Sequence, residues 1–179
     1  MYLCAMDNSS FLNKLKLIKA FVFDVDGVFT NNQLLATENG ELLRTFNAKD
    51  GFALKTAIEK GFSICIITGG TSDAVHRRFE LLGVKHNYYR VSDKQKVLKD
   101  FLIQENINTE NVLYMGDDIP DYAAMNLCGL KCCPKDAVPE INEIADFTCT
   151  RNGGDACVRE VIEMVLKAQH KWFNVNNIV

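Results

Sequence analysis

Two aspartates one residue apart, Asp24 and Asp26, follow the apolar run "AFVF" in the stretch "KAFVFDVDGVFT" and precede Gly27. Residues two apart on an extended chain point the same way, so both acids can address one ligand. Where the strand gives way to the glycine turn, they can take different work. A metal-bound carboxylate stays ionised at neutral pH and can attack phosphorus, while a neighbour away from the metal can carry a proton. Other segments carry matching chemistry. "ITGG" offers Thr68 and the backbone N–H groups of Gly69 and Gly70 to phosphate oxygens. "GDDIPD" adds Asp117 and Asp118, and carboxylates from two strands make a hard, oxygen-rich site suited to magnesium. Lys94, in "VSDKQK", supplies a compensating positive charge.

These groups need elements that bring them together. Short apolar runs alternate with amphipathic segments, which predicts an α/β protein with a mostly parallel sheet. "AFVFDV" (20–25), "SICIIT" (63–68) and "NVLYMG" (111–116) read as central strands, and "VKHNYY", "GLKCC" and "DFTCT" as weaker ones. In an open parallel sheet, ligands bind outside the carboxyl ends of the strands. Asp24/Asp26, Thr68 and Asp117/Asp118 converge on one crevice if the three central strands are neighbours. Asn39-Gly40 marks a hairpin within 30–46. Helices are predicted over "DGFALKTAIEKG", over "SDAVHRRFELLG" with Ser72 as N-cap, over 93–105, and from about Asp155 to Gln169, followed by a tail at 171–179. No repeat or linker divides the chain, so residues 1–179 read as a single domain.

In order and spacing, "DVDGVFT", "ITGG", "SDK" and "GDDIPD" resemble the four motifs of the haloacid dehalogenase superfamily of phosphatases. The resemblance spans roughly residues 18–160 and implies a three-layer, Rossmann-like fold. It also implies that Asp24 is a nucleophile forming an aspartyl-phosphate, and that Asp26 protonates the leaving alcohol and then activates water. Thr68, Gly69 and Lys94 would hold the phosphoryl group. Mg2+ would be bound by Asp24, the Asp26 backbone carbonyl and Asp117, with Asp118 or Asp121 in support. The small hairpin in place of a cap domain, "NGELLRTFNAKDG", "GDDIPDYAAM" and "RNGGDACVREV" are similar to the capless 3-deoxy-D-manno-octulosonate (KDO) 8-phosphate phosphatases. That subfamily acts in lipopolysaccharide sugar synthesis and forms homotetramers in which a neighbour's hairpin and tail help close the site. Arg44, Lys49, Arg78 and Arg151 fall at or near its basic positions and are candidates to hold a substrate carboxylate.

Two departures bear on specificity. Gly70 stands where the family usually has the arginine of "TGR", and Lys49 opens "KDG" where "RDG" is usual, giving one charge without a bidentate fork. A phosphatase for the nine-carbon 2-keto-3-deoxy sugar acid 9-phosphate is therefore the nearest alternative. A phospho-receiver switch also uses acids, a hydroxyl and a lysine around magnesium, but its paired acids are adjacent and its phosphorylated aspartate follows a later strand. Here Val25 splits the pair and "SICIIT" ends in threonine.

The bland readings stand beside these. Asp118 or Asp121 can equally cap the helix of "YAAMNL". His76 and His86 read as surface or structural residues, and Trp172 and Phe173 either pack on the last helix or cover a partner. Net charge is -3, with 20 basic and 23 acidic residues, which gives no basic footprint for nucleic acid. No apolar run approaches membrane-spanning length, and the N-terminal "MYLCAMDNSSFLNK" lacks the pattern of a signal peptide. Seven cysteines without a CxxC pair read as reduced thiols of a cytoplasmic protein.

Overall fold

The computed structural model describes residues 8–173. Helix α1 (Asn8–Leu17) leads into strand β1 (Ala20–Phe23), and a small antiparallel hairpin follows, β2 (Leu35–Ala36) and β3 (Leu42–Leu43). Then come α2 (Ala48–Glu59), β4 (Ser63–Ile67), α3 (Asp73–Leu81), β5 (His86–Tyr88) and α4 (Lys94–Glu105). After a 3-10 turn, β6 (Val112–Met115), α5 (Ile119–Met125), β7 (Leu130–Cys133), α6 (Pro139–Ile144), β8 (Phe147–Thr148) and α7 (Cys157–Ala168) complete the elements of the described residues.

The six main strands run in the order β5-β4-β1-β6-β7-β8, every neighbouring pair parallel. The topology puts β1 between β4 and β6, with Phe23 level with Ile66 on one side and Met115 on the other. All three strands thus end at one level, and their polar extensions share one crevice.

Strand alternation divides the core. Phe21 and Phe23 pack on one face with Leu54, Val161 and Val165 of α2 and α7. Ala20 and Val22 pack on the other with Leu98 and Phe101 of α4 and Met125 of α5. Asp24 continues the second series, so its side chain leaves the strand on the α4/α5 face, where Lys94 and Asp121 lie. The N-termini of these helices are pinned by acids: Asp93 accepts from the Lys96 N–H at 3.0 Å, and Asp118 from the Ile119 N–H at 2.7 Å.

The hairpin expected from Asn39-Gly40 is present, with Gly40 at φ +80° and its N–H donating to the Thr37 carbonyl. Helix α7 starts at Cys157, later than the expected Asp155, because Gly154 (φ +73°) and Ala156 (φ +65°) first carry the chain through a left-handed turn. The sequence did not announce α1, whose polar composition hides a face carrying the buried Leu15. Trp172 packs back, its ring edge-on to Phe52 at 6.4 Å and beneath the Arg159 guanidinium at 5.5 Å. Phe173 is exposed, and residues 174–179 of the expected tail lie outside the described residues. Six cysteines, at 65, 128, 132, 133, 149 and 157, are buried free thiols.

Asp50, buried in the first turn of α2, ties that helix to α7 by accepting the Arg159 N–H at 2.7 Å. Its other oxygen has no partner. Burial pushes its carboxyl up from 3.8 to about 6, against the opposing pull of the Arg159 N–H and the Arg151 charge. A folded pKa above the unfolded one means that this contribution to stability is fully present below pH 3.8 and is lost as pH rises through about 6. Asp50→Asn lacks this titration and should gain on wild type by about 1–3 kcal/mol between roughly pH 4 and pH 7. Urea midpoints across that range check it; a difference that does not change with pH would contradict the assignment.

Candidate active site

Asp24 is buried directly beyond β1. Its Oδ1 lies 2.9 Å from the Lys94 Nζ, and the same ammonium lies 2.9 Å from Asp121 Oδ1. Tyr114 of β6 donates its hydroxyl to Asp121 Oδ1 at 2.8 Å. Asp117, beyond the end of β6, accepts at Oδ2 from the Asn32 side-chain amide at 2.8 Å. Asp24, Asp117 and Asp121 each offer an oxygen within 4.8 Å of the others, and all three are buried.

Like charge and burial oppose this arrangement. Burial and the neighbouring Asp121 push the Asp24 carboxyl up to about 8 despite Lys94, and burial pushes Asp117 up to about 6 despite Asn32. Burial also works against the Lys94 charge, but Asp24 and Asp121 more than offset it and hold the pKa above that of an ordinary lysine. One ammonium among three carboxylates leaves two negative charges uncompensated. Asp117 Oδ1 and Asp121 Oδ2 are buried with no hydrogen-bond partner. An all-oxygen donor set with an excess charge of two and orphaned oxygens fits a hard divalent cation such as magnesium.

Asp26 lies on the other side of the crevice and in a different environment. It is partly exposed and receives both Arg44 donors, Nε at 2.7 Å and Nη2 at 3.0 Å, in a bidentate pair. That hydrogen bond raises the Arg44 pKa above the usual guanidinium value. The two acids of "DVDG" are thus separated, one facing lysine and the acid cluster, the other facing arginine. Thr68 is buried beyond β4 and accepts the Gly70 N–H at 3.0 Å, while Gly69 is exposed at the rim.

The remaining expected residues divide. Asp121 is not the N-cap of α5; Asp118 is, and its exposed carboxylate stands outside the buried group of three. Because α5 starts immediately after Asp118, its first turn carries Asp121 back into the site. Arg44 lines the space beside Asp26. Lys49 and Arg151 line a separate groove of about 690 Å³ along α7, and Arg78 stacks over Phe46 at 5.7 Å. Asn32 and Tyr114, which hold Asp117 and Asp121, carry no motif; only their proximity in the fold shows them.

Gly27 permits the close packing. Its φ is +83°, and a Cβ there would stand 1.9 Å from Asp117 Oδ2 and 2.6 Å from the Asn32 amide nitrogen. Gly27→Ala should cost about 1–2 kcal/mol from the backbone alone and displace Asp117. Melting with and without magnesium chloride reads the second effect. Wild type should gain about 2.7 kcal/mol at a hundredfold excess over Kd, and the variant much less. An equal gain in both would remove Asp117 from the cation site.

Comparison with known proteins agrees with this geometry. A family model described as haloacid dehalogenase-like hydrolase matches residues 90–162. The KDO 8-phosphate phosphatase KdsC of Salmonella typhi is 36% identical over 160 residues, covering 89% of this chain and 85% of that protein. The Haemophilus influenzae KdsC is 32% identical, with 88% of each covered. Among solved structures, the KDO 8-phosphate phosphatase of Moraxella catarrhalis, in complex with magnesium ion, phosphate ion and KDO, superposes with a TM-score of 0.88. It is 32% identical, covering 91% of this chain and 94% of that one. With three strand ends and the first turns of α4 and α5 delivering the acids, threonine and lysine to one crevice, the chain belongs to the haloacid dehalogenase-like hydrolases, in the family of the KDO 8-phosphate phosphatases.

Proposed function

We propose that the protein is a magnesium-dependent phosphomonoesterase that removes phosphate from KDO 8-phosphate in lipopolysaccharide sugar biosynthesis. The observation that carries this reading is the convergence of Asp24, Lys94, Asp117 and Asp121 in one buried cluster with Asp26 beside it.

Asp24 attacks phosphorus, and the bond to the sugar oxygen breaks as Asp26 gives that oxygen a proton. Asp26 then takes a proton from water, whose oxygen displaces Asp24 from the aspartyl-phosphate and leaves inorganic phosphate. Lys94 and Thr68 hold phosphoryl oxygens throughout, with Gly69 at the rim letting the chain approach closely. Asp24, the Asp26 backbone carbonyl, Asp117 and Asp121 would hold magnesium, whose charge would keep Asp24 ionised and offset the phosphate. Asp118 contributes by starting α5, which aims Asp121.

Residues 1–179 act in this reading as a single catalytic domain that needs neighbours. Leu34, Leu35, Leu42 and Leu43 are all exposed on and beside the hairpin, apolar surface that a homotetramer would cover. Lys49, Arg78 and Arg151 do not line the space beside Asp26, so we assign them to contacts with a substrate carboxylate shared between subunits. Six buried thiols suit the reducing cytoplasm. Among the described residues, no helix is long and apolar enough to cross a membrane.

Asp24→Asn and Asp26→Asn should each lower kcat by about a thousandfold or more with melting behaviour retained. Full activity in either would end the role given to it. Phosphate release from the eight-carbon and nine-carbon sugar acid phosphates, beside an unrelated sugar phosphate, tests the substrate. Higher kcat/KM for the eight-carbon acid supports the proposal; preference for the nine-carbon acid would mean that Gly70 and Lys49 mark a different sugar on the same chemistry.

A further inference from the structure

Among the described residues, five buried side-chain atoms receive no well-aligned hydrogen bond. Two are oxygens of Asp117 and Asp121 beside the acid cluster, one is Asp24 Oδ1, which faces the Lys94 ammonium at 2.9 Å, and one belongs to Asp50. The fifth is His76 Nδ1, on the opposite side of the crevice. A buried polar atom left unpaired costs about 1–3 kcal/mol, and such atoms at a functional site mark the places a ligand satisfies.

His76 lies in α3 and lines a small cavity together with Asp26, Arg44, Thr68, Gly70 and Tyr89. Its imidazole is held on other sides. The ring packs against Tyr89 at 4.5 Å between centroids, and Nε2 faces Glu80 at 3.3 Å. The His76 carbonyl receives the Asn87 side-chain amide at 2.9 Å. In the tautomer whose Nε2–H faces Glu80, Nδ1 is an acceptor. The cavity has about 10 Å³ free, room for one water oxygen or one hydroxyl group.

Its position says whose hydroxyl this is. Asp26 carries the proton to the leaving oxygen, so the leaving alcohol must lie on Asp26's side of the phosphate, away from Asp24. Gly70 borders that side, where a Cβ would stand 3.3 Å from Thr68 Oγ1 and in ordinary contact, 3.6 Å, with both Asp26 Oδ2 and Arg44 Nη2. We propose that His76 is a specificity-determining residue whose Nδ1 accepts a hydrogen bond from a hydroxyl of the departing polyol, in the cavity between Asp26 and Tyr89. This assignment rests on the phosphomonoesterase reading. A site built to pair with a substrate hydroxyl discriminates strongly against esters that lack it.

The test compares two substrates in three proteins: wild type, His76→Phe, which keeps a ring against Tyr89, and His76→Asn, which restores an acceptor near Nδ1. One substrate is whichever of the eight- and nine-carbon sugar acid phosphates wild type hydrolyses faster; the other is para-nitrophenyl phosphate, which has no hydroxyl. His76→Phe should lose about tenfold or more in kcat/KM on the sugar phosphate, mainly through KM, and less than about twofold on the aryl ester. His76→Asn should recover part of the loss, with melting temperatures unchanged. No loss, or equal losses on both substrates, would overturn the assignment while leaving the phosphatase reading intact. Wild type active on the aryl ester alone would overturn the assignment and the sugar-acid substrate while leaving phosphatase chemistry; activity on neither would overturn both readings together.

Discussion

Three carboxylates buried within 4.8 Å of one another, with a single ammonium between two of them, are the constraint around which the rest is arranged. Desolvation and mutual repulsion both favour protonation, and proton uptake would remove the nucleophile proposed at Asp24. The fold resists by fixing each acid from outside the cluster. Lys94 stands at the start of α4, Tyr114 donates from β6, and Asn32 reaches Asp117 from the turn that follows β1. A divalent cation completes the compensation, and glycine packing keeps the acids close enough to share one. A Cβ on Gly116 would lie 2.4 Å from the Asp121 carboxyl carbon, as close a conflict in kind as that at Gly27.

The same constraint explains why the paired acids are separated by Val25. Adjacent acids would leave the strand on opposite faces. Spaced by two, they start from one face, and the turn after Asp24, where the Phe29 N–H bonds back to the Val25 carbonyl at 2.9 Å, carries Asp26 toward Arg44. One acid ends in the buried cluster and the other at the opening, with 31% of its side chain exposed. A nucleophile must remain charged, and a proton carrier must reach both the leaving oxygen and water, so the difference in environment suits the division of labour proposed for the two acids.

What could be read from the chain and what could not follow from the range of each interaction. The strand ends, the Asn39-Gly40 turn and the order of Asp24, Thr68, Lys94 and Asp117 are local features, and the central strands place them together as soon as β1 lies between β4 and β6. Asp118 and Asp121 were ambiguous because either can start a helix; only the observed start at Ile119 turns Asp118 outward and Asp121 inward. Asn32, Tyr114 and His76 were invisible for a different reason. Their partners are 85, 7 and 11 residues away along the chain, and nothing in the residue types at those separations singles them out. His76 in particular reads as an ordinary helix-face histidine until the fold leaves one of its nitrogens buried and unpaired in a residue that lines a small cavity.

The protomer contains the acids, the lysine and the threonine of the chemistry, yet it leaves Asp26 open to solvent and four leucines exposed on or near the hairpin. For a transferase this would be a defect, because water would compete for the phosphorylated aspartate. For a hydrolase, water is the second substrate, so a dry site is not required and sealing brings little in the second half of the cycle. What an open site lacks is grip on the leaving group. Grip has to come from groups placed on the Asp26 side of the phosphate, and the basic and apolar surface surrounding that opening is where such groups are found. Closure in this fold therefore serves selection among phosphate esters more than protection of the intermediate. Gly70, which departs from the family pattern, accordingly lies beside Asp26 at the opening, while the acid cluster keeps its full set.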